Sequence, residues 1–163
     1  MDKNLSLSVG FKGQLKLNAQ AVPLQEGYLK LGGIVDSANQ STGLPFGVVC
    51  SAAAASPELI VAGNSGSNVT RGIVVFDDAV AQNAIAHPDK YLAGMPCAFI
   101  TKGLVKIMKW ETSKDPVVGY KVQFKNSDGE IGFVSSSADA SHTLLAGATV
   151  VEVTDDGAYV WLG

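Results

Sequence analysis

Residues Pro116–Ser135 read PVVGYKVQFKNSDGEIGFVS. Val118, Tyr120, Val122 and Phe124 fall on one side of an extended chain, and Lys121, Gln123 and Lys125 on the other. Strict period-two alternation marks a half-buried strand, because successive side chains leave a pleated backbone in opposite directions. Asn126-Ser127-Asp128-Gly129 follows, a polar loop whose glycine tolerates positive φ. Ile131 and Phe133 then resume the alternation, so the stretch predicts a hairpin. The rest of the chain repeats this grammar of short apolar runs bounded by Gly, Asp and Asn, which predicts an all-β protein.

Downstream, Ser136–Ala146 reads as a second polar loop. Thr149–Val153 and Ala158–Leu162 form a closing hairpin around Asp155-Asp156-Gly157, with Val151 and Val153 expected to face Tyr159 and Trp161. Upstream, Met95–Ile100 is a strand, and Gly103 is expected to turn the chain into Leu104–Trp110. That run is apolar on both faces, as in a central strand or a covered barrel wall. Asp77–Gly94 reads as a long loop with at most a turn of helix, because Pro88 interrupts it. Gly72–Phe76 and Leu59–Ala62 are short buried strands, and Leu44–Cys50 is a strand that starts through Pro45. The four alanines Ala52–Ala55 favour helix but are too few to hold one before Pro57. Gly, two residues and then Val recur at 72–75, 119–122 and 147–150. The irregular spacing makes them repeated strand starts, not a solenoid. Residues 1–31 alternate weakly, at Leu5–Val9 and Leu15–Leu17, and are read as an arm or edge hairpin. Residues 32–163 are the β core of one domain spanning 1–163.

A chain of 163 residues buries about 70% of its unfolded surface and needs no staples. Hydrophobic residues make up 47% and charged ones 17%, which excludes a disordered chain. A net charge of -3 and a pI near 5.2 argue against nucleic-acid binding. The start, MDKNLSLSVGFKGQ, lacks an apolar signal segment, and no run is long enough to span a membrane. The expectation is synthesis in a host cytoplasm with Cys50 and Cys97 unpaired. The sequons at Asn4, Asn39 and Asn68 are then chance matches.

The search for chemistry yields no catalytic, cofactor-binding or metal residues. His87 and His142 stand far along the chain from acidic or thiol partners at ligand spacing. Cys50 and Cys97 lie in apolar strands, as buried inert thiols do. Ser141 and His142 are adjacent and on a strand point to opposite faces. Asp77-Asp78 and Asp155-Asp156 fit turn chemistry and lack the oxygen density of a calcium loop. Gly63–Asn68 has the look of a phosphate cradle, but β-branched residues follow it where a helix is required. Lys102, Lys106, Lys109, Lys114, Lys121 and Lys125 read as a solvated basic strand face. The alternative is a contact with an acidic protein surface.

From Gly43 onward the chain resembles the structural cement, or capsid decoration, proteins of tailed bacteriophages. The resemblance rests on an ordered set of segments: Leu44–Val49, Gly72–Val75, Tyr91–Pro96 leading into Ile100–Val105, Val118–Val122 with Gly129 beyond, and Gly147–Val150 before the last hairpin. It implies a small β-barrel or β-sandwich that binds the outside of an icosahedral shell between capsomers. The implied partners are the major capsid protein and further copies of the chain in a trimer, with no nucleic acid or membrane. The implied location is the virion capsid surface, and the family has no catalytic residues or cofactors to carry over. A tail, fibre or adhesin-like domain binding a receptor or carbohydrate is the alternative. It would want an exposed aromatic cluster, whereas Trp110 and Trp161 sit in apolar strands. The acidic-aromatic motif and Gly-rich tail of a trimeric all-β dUTPase are both missing.

Overall fold

The structure, a computed structural model, describes residues 21–23, 29–77, 87 and 89–163. Those residues form strands and turns, with no helix. The strands are β1 (Ala21–Pro23), β2 (Leu29–Val35), β3 (Leu44–Pro45), β4 (Val49–Ala52), β5 (Leu59–Ala62) and β6 (Val69–Val74). They continue as β7 (Lys90–Tyr91), β8 (Pro96–Ile107), β9 (Lys121–Lys125), β10 (Ile131–Val134), β11 (His142–Thr154) and β12 (Gly157–Leu162).

Five strands close into a small barrel in the order β8-β2-β5-β4-β6, with β6 pairing back to β8. All its pairs are antiparallel except β2 with β5. The second half of β8 leaves the barrel and enters a sheet ordered β10-β9-β11-β12-β8. There Gly103–Ile107 pairs with β12, while Val105–Ile107 pairs with β1 on the other edge. Closure removes exposed edges from the barrel, and shared β8 joins the two halves covalently.

Alternation along the strands builds two cores. Cys50, Ile60, Val74, Cys97 and Phe99 belong to one cluster with Phe46, Phe76 and Tyr91. In that cluster Phe46 meets Tyr91 and Phe76 edge to face, with centroids 4.9 and 5.5 Å apart. The neighbouring barrel residues Val49, Ile73, Val75 and Ile100 point the other way, into a cluster with Val122, Phe124, Ile131, Phe133, Val150 and Val160. The barrel wall is thus covered on both faces, which is why β4 is buried at every position.

The all-β expectation holds, and the structure moves several boundaries. β8 runs unbroken through Gly103 (φ 114°), which bends the strand instead of turning it. Pro45 lies in the two-residue β3 against Lys90, and Gly47 (φ 80°) separates it from β4. β11 starts at His142, so the end of the expected 136–146 loop is strand. In the opening stretch Val118 stands outside the strand and exposed, and Gln123 is fully buried. Gln123 tolerates burial because its amide donates to Asp139 Oδ2 (2.6 Å) and accepts from the Asp139 N–H (2.9 Å). In the closing hairpin a bulge after Val150 shifts the register, so Tyr159 faces Glu152 and Trp161 faces Thr149. β2 straddles the expected boundary between residues 31 and 32. The expected strands at Leu5–Val9 and Leu15–Leu17, and most of the 77–94 loop, lie outside the described residues.

Two glycines permit close approaches, one inside the barrel and one between the halves. A Cβ on Gly72 (φ 156°) would lie 2.1 Å from the Ile100 carbonyl oxygen across β6 and β8. One on Gly129 (φ 75°) would lie 2.1 Å from the Val49 oxygen, where the β9–β10 loop docks on the barrel. That docking is made by hydrogen bonds from Val49 N–H to the Gly129 oxygen (2.9 Å) and Asn64 N–H to the Asn126 oxygen (3.0 Å).

Val122 is buried and its neighbour Lys121 is exposed. Val122→Asp is expected to cost about 3–5 kcal/mol, an unpaired carboxylate in a closed core. Lys121→Asp should stay within about 0.5 kcal/mol of the parent. Urea titration of the two variants side by side checks the face assignment, and equal midpoints would refute it.

Candidate functional site

Most of the described residues weighed for chemistry have a structural role here. Cys50 and Cys97 are both free and buried in the barrel cluster. Burial raises both thiol pKa values, that of Cys97 to about 12, so neither is a thiolate near neutral pH. Asp156 caps the β11–β12 turn, accepting from Thr154 Oγ1 (2.7 Å) and from Lys106 Nζ (2.6 Å). Asp77 donates its backbone N–H to the Tyr91 hydroxyl (3.1 Å), which in turn donates to the Val75 carbonyl (2.7 Å); Asp78 lies outside the described residues. Strand β6 follows the Gly63–Asn68 loop, leaving no helix N-terminus to hold a phosphate. His87 is half-buried in a coil segment.

The lysine face is a correction. Lys102, Lys109 and Lys121 are exposed as expected. Lys106 is buried against Asp156 with its ammonium 5.6 Å from the Tyr159 ring centre, and Lys114 and Lys125 pair with Asp139 and Asp128. The turn carboxylates neutralise much of what the linear sequence presents as one basic stripe.

His142 is also corrected. Its side chain is 7% exposed, and Nε2 lies 2.7 Å from Glu111 Oε2, a partner 31 positions away. Nδ1 lies 3.0 Å from the Ala140 carbonyl oxygen. Two acceptors at two ring nitrogens are both satisfied only by the imidazolium. The pair clamps the Trp110–Asp115 segment onto the β9–β11 sheet, where Trp110 stacks edge-on against Phe133. Glu111 N–H also donates to the Ile131 carbonyl oxygen (2.7 Å), and Phe133 N–H to that of Lys114 (3.2 Å), covering the outer edge of β10. Among the described residues no group of three or more His, Cys, Asp or Glu is placed to hold a metal ion.

What remains for function is surface. Five of the eight large apolar side chains exposed among the described residues are Val117, Val118, Val151, Val153 and Trp161. They belong to the β11–β12 hairpin and the turn hydrogen-bonded to it, where Gly119 N–H donates to the Val150 carbonyl oxygen (2.8 Å). Singly exposed apolar residues are ordinary, and their concentration on one supersecondary unit makes it the candidate contact region. Trp161 stands in an apolar strand, as the sequence predicts, yet is exposed. Its cross-strand partners Thr149 and Leu104 hold it on the outward row.

A thiol reagent should leave the folded protein unmodified over minutes and react with two thiols once urea unfolds it. One thiol or none in the unfolded protein would mean a disulfide. For His142, burial alone would lower the pKa. The Ala140 carbonyl and the Glu111 and Asp139 carboxylates outweigh burial and raise it above the ordinary 6.5. Protonation therefore stabilises the fold, fully below pH 6.5 and progressively less as pH rises through the folded-state value. Glu111→Gln should flatten this alkaline decline in a urea-stability profile, and a parent profile that rises from pH 6.5 upward would contradict the assignment.

No curated protein matches the chain. A family model described as "Structural cement protein (E217 gp24/Pam3 gp6)" matches residues 3–163. The match spans nearly the whole sequence, and the chain belongs to the phage structural cement protein family.

Proposed function

We propose that the protein is a virion component that binds the outer surface of an icosahedral phage shell and stabilises it by bridging neighbouring capsomers. It is made in the host cytoplasm and engages the major capsid protein as a homotrimer, without catalysing a reaction. The observation that carries the reading is the family match over residues 3–163. The structure supports it with a self-sufficient double core and exposed apolar side chains on the β11–β12 hairpin.

The mechanism is linkage. A ligand that binds the assembled shell and not its dispersed subunits stabilises the shell by mass action, about 2.7 kcal/mol per site at a free concentration 100 times Kd. A trimer engages several sites, and after the first contact the others meet a high effective concentration.

Shells matured without the protein provide the test. Adding it back should give saturable binding and raise the rupture temperature under heating or osmotic shock. Binding without a change in rupture would remove the cement role. Failure to bind would move weight to recognition of a receptor or glycan.

A further inference from the structure

We propose that the cleft beside Arg71 receives one carboxylate side chain from the shell. The proposal deepens, and rests on, the shell-binding reading. Arg71 is the only arginine in the chain. It is also the extra residue of a β-bulge, since Thr70 faces Ser51 and Gly72 faces Cys50, leaving Arg71 with no partner on β4. Bulges re-aim a side chain at the cost of a ladder position. Gly72 fixes this one, because no other residue could sit so close to the Ile100 carbonyl.

Arg71 lines a cleft of about 230 Å3 at the seam between barrel and sheet, with Thr70, Thr101, Leu144, Ala146 and Leu162 among its walls. A second bulge forms the opposite wall. On β11, Leu145–Ala148 lie between Leu144, which faces Gln123, and Thr149, which faces Lys121, so four residues stand opposite Val122 alone. Two interruptions of regular pairing thus frame one cavity.

The guanidinium is incompletely satisfied there. Nη2 donates to the Pro57 carbonyl oxygen (3.0 Å), while the buried Nε–H has no acceptor. Among the described residues no carboxylate lines the cleft. A buried donor without a partner is costly, and a ligand that supplies the acceptor recovers that cost. A carboxylate matches the planar fork of a guanidinium through two parallel hydrogen bonds. The volume is below the range of sites for whole small molecules, which suits a single side chain. Leu144 and Leu162 offer apolar wall to the methylenes of a glutamate. Leu145 and Ala146 have no ladder partner on β9 or β12, and this is the part of the wall that moves to open the enclosed Nε–H.

With one arginine, the Nε–H gives one arginine resonance, which reports the cleft directly. Titrating glutarate should shift it saturably, and glutaramide, of the same shape without charge, should not. No shift with glutarate, or an equal shift with inorganic phosphate, would overturn the carboxylate assignment. In parallel, Arg71→Gln and Arg71→Lys are assayed for binding to undecorated shells after their melting temperatures are compared with the parent. Arg71→Gln should weaken binding about tenfold or more, and Arg71→Lys, which lacks the fork, should not fully restore it. Equal binding of parent and variants overturns the cleft and leaves the shell role intact. If the parent itself does not bind shells, the shell role fails and the glutarate titration decides the cleft by itself. If Arg71→Gln does not fold, Arg71→Lys and the titration decide.

Discussion

A strand that belongs to two sheets must satisfy both at once, and β8 carries that constraint. Pro96–Lys102 pairs with β2 and, at Phe99 and Ile100, with β6, closing the barrel. Gly103–Ile107 pairs with β12 and β1, opening the second sheet. Its side chains divide accordingly: Cys97, Ala98 and Phe99 join the barrel cluster, and Ile100, Val105 and Ile107 join the cluster outside it. The close passage of Gly72 against Ile100 lets β6 lie flat on this strand, and a side chain there would pry the barrel open at its β6–β8 closure. The two cores are therefore coupled through one backbone, and disturbance of β8 reaches both.

Period-two alternation made individual strands legible, because each needs only its own side chains to declare an inner face. The β9–β10 hairpin and the all-β class follow from that local information. Closure was not legible. The β2–β5 pair is parallel and β8 serves two sheets, and neither leaves a mark on local periodicity. The errors at Val118 and Gln123 have the same root. Alternation assumes one wet face, yet Gln123 lies beneath the loop carrying Asp139, and its burial depends on a partner 16 residues away. The Glu111–His142 pair spans 31 positions for the same reason. The lysine stripe misled because its neutralising carboxylates sit in turns, which propensity explains without reference to charge.

The functional surface was less legible than the fold, and the reason is energetic. A catalytic site requires particular reactive residue types, and their scarcity or local motifs are visible in sequence. A binding surface needs only side chains that a fold would otherwise bury or leave unpaired, and these show themselves once burial and pairing are known. Val117, Val118, Val151 and Val153 look like core residues until the sheet is built, and Arg71 looks like an ordinary strand charge until its bulge is seen.

An outward tryptophan on a terminal strand raises the question of what keeps it in place. Trp161 is flanked by Thr149 on β11 and Leu104 on β8, so ladders on both sides hold its backbone, and Gly163 N–H closes onto the Gly147 carbonyl oxygen (3.2 Å) just beyond. A large side chain with two rotatable bonds on a locked backbone loses little freedom on contact, which is why tryptophan dominates interface energetics. The exposed valines of the hairpin and its turn add apolar area elsewhere on the same unit without imposing a shape. In the proposed shell contact this gives a division of labour. Trp161 and the valines supply burial, which is non-directional and tolerates small differences between quasi-equivalent sites. The Arg71 cleft, at the seam of barrel and sheet, supplies the directional bond that sets register.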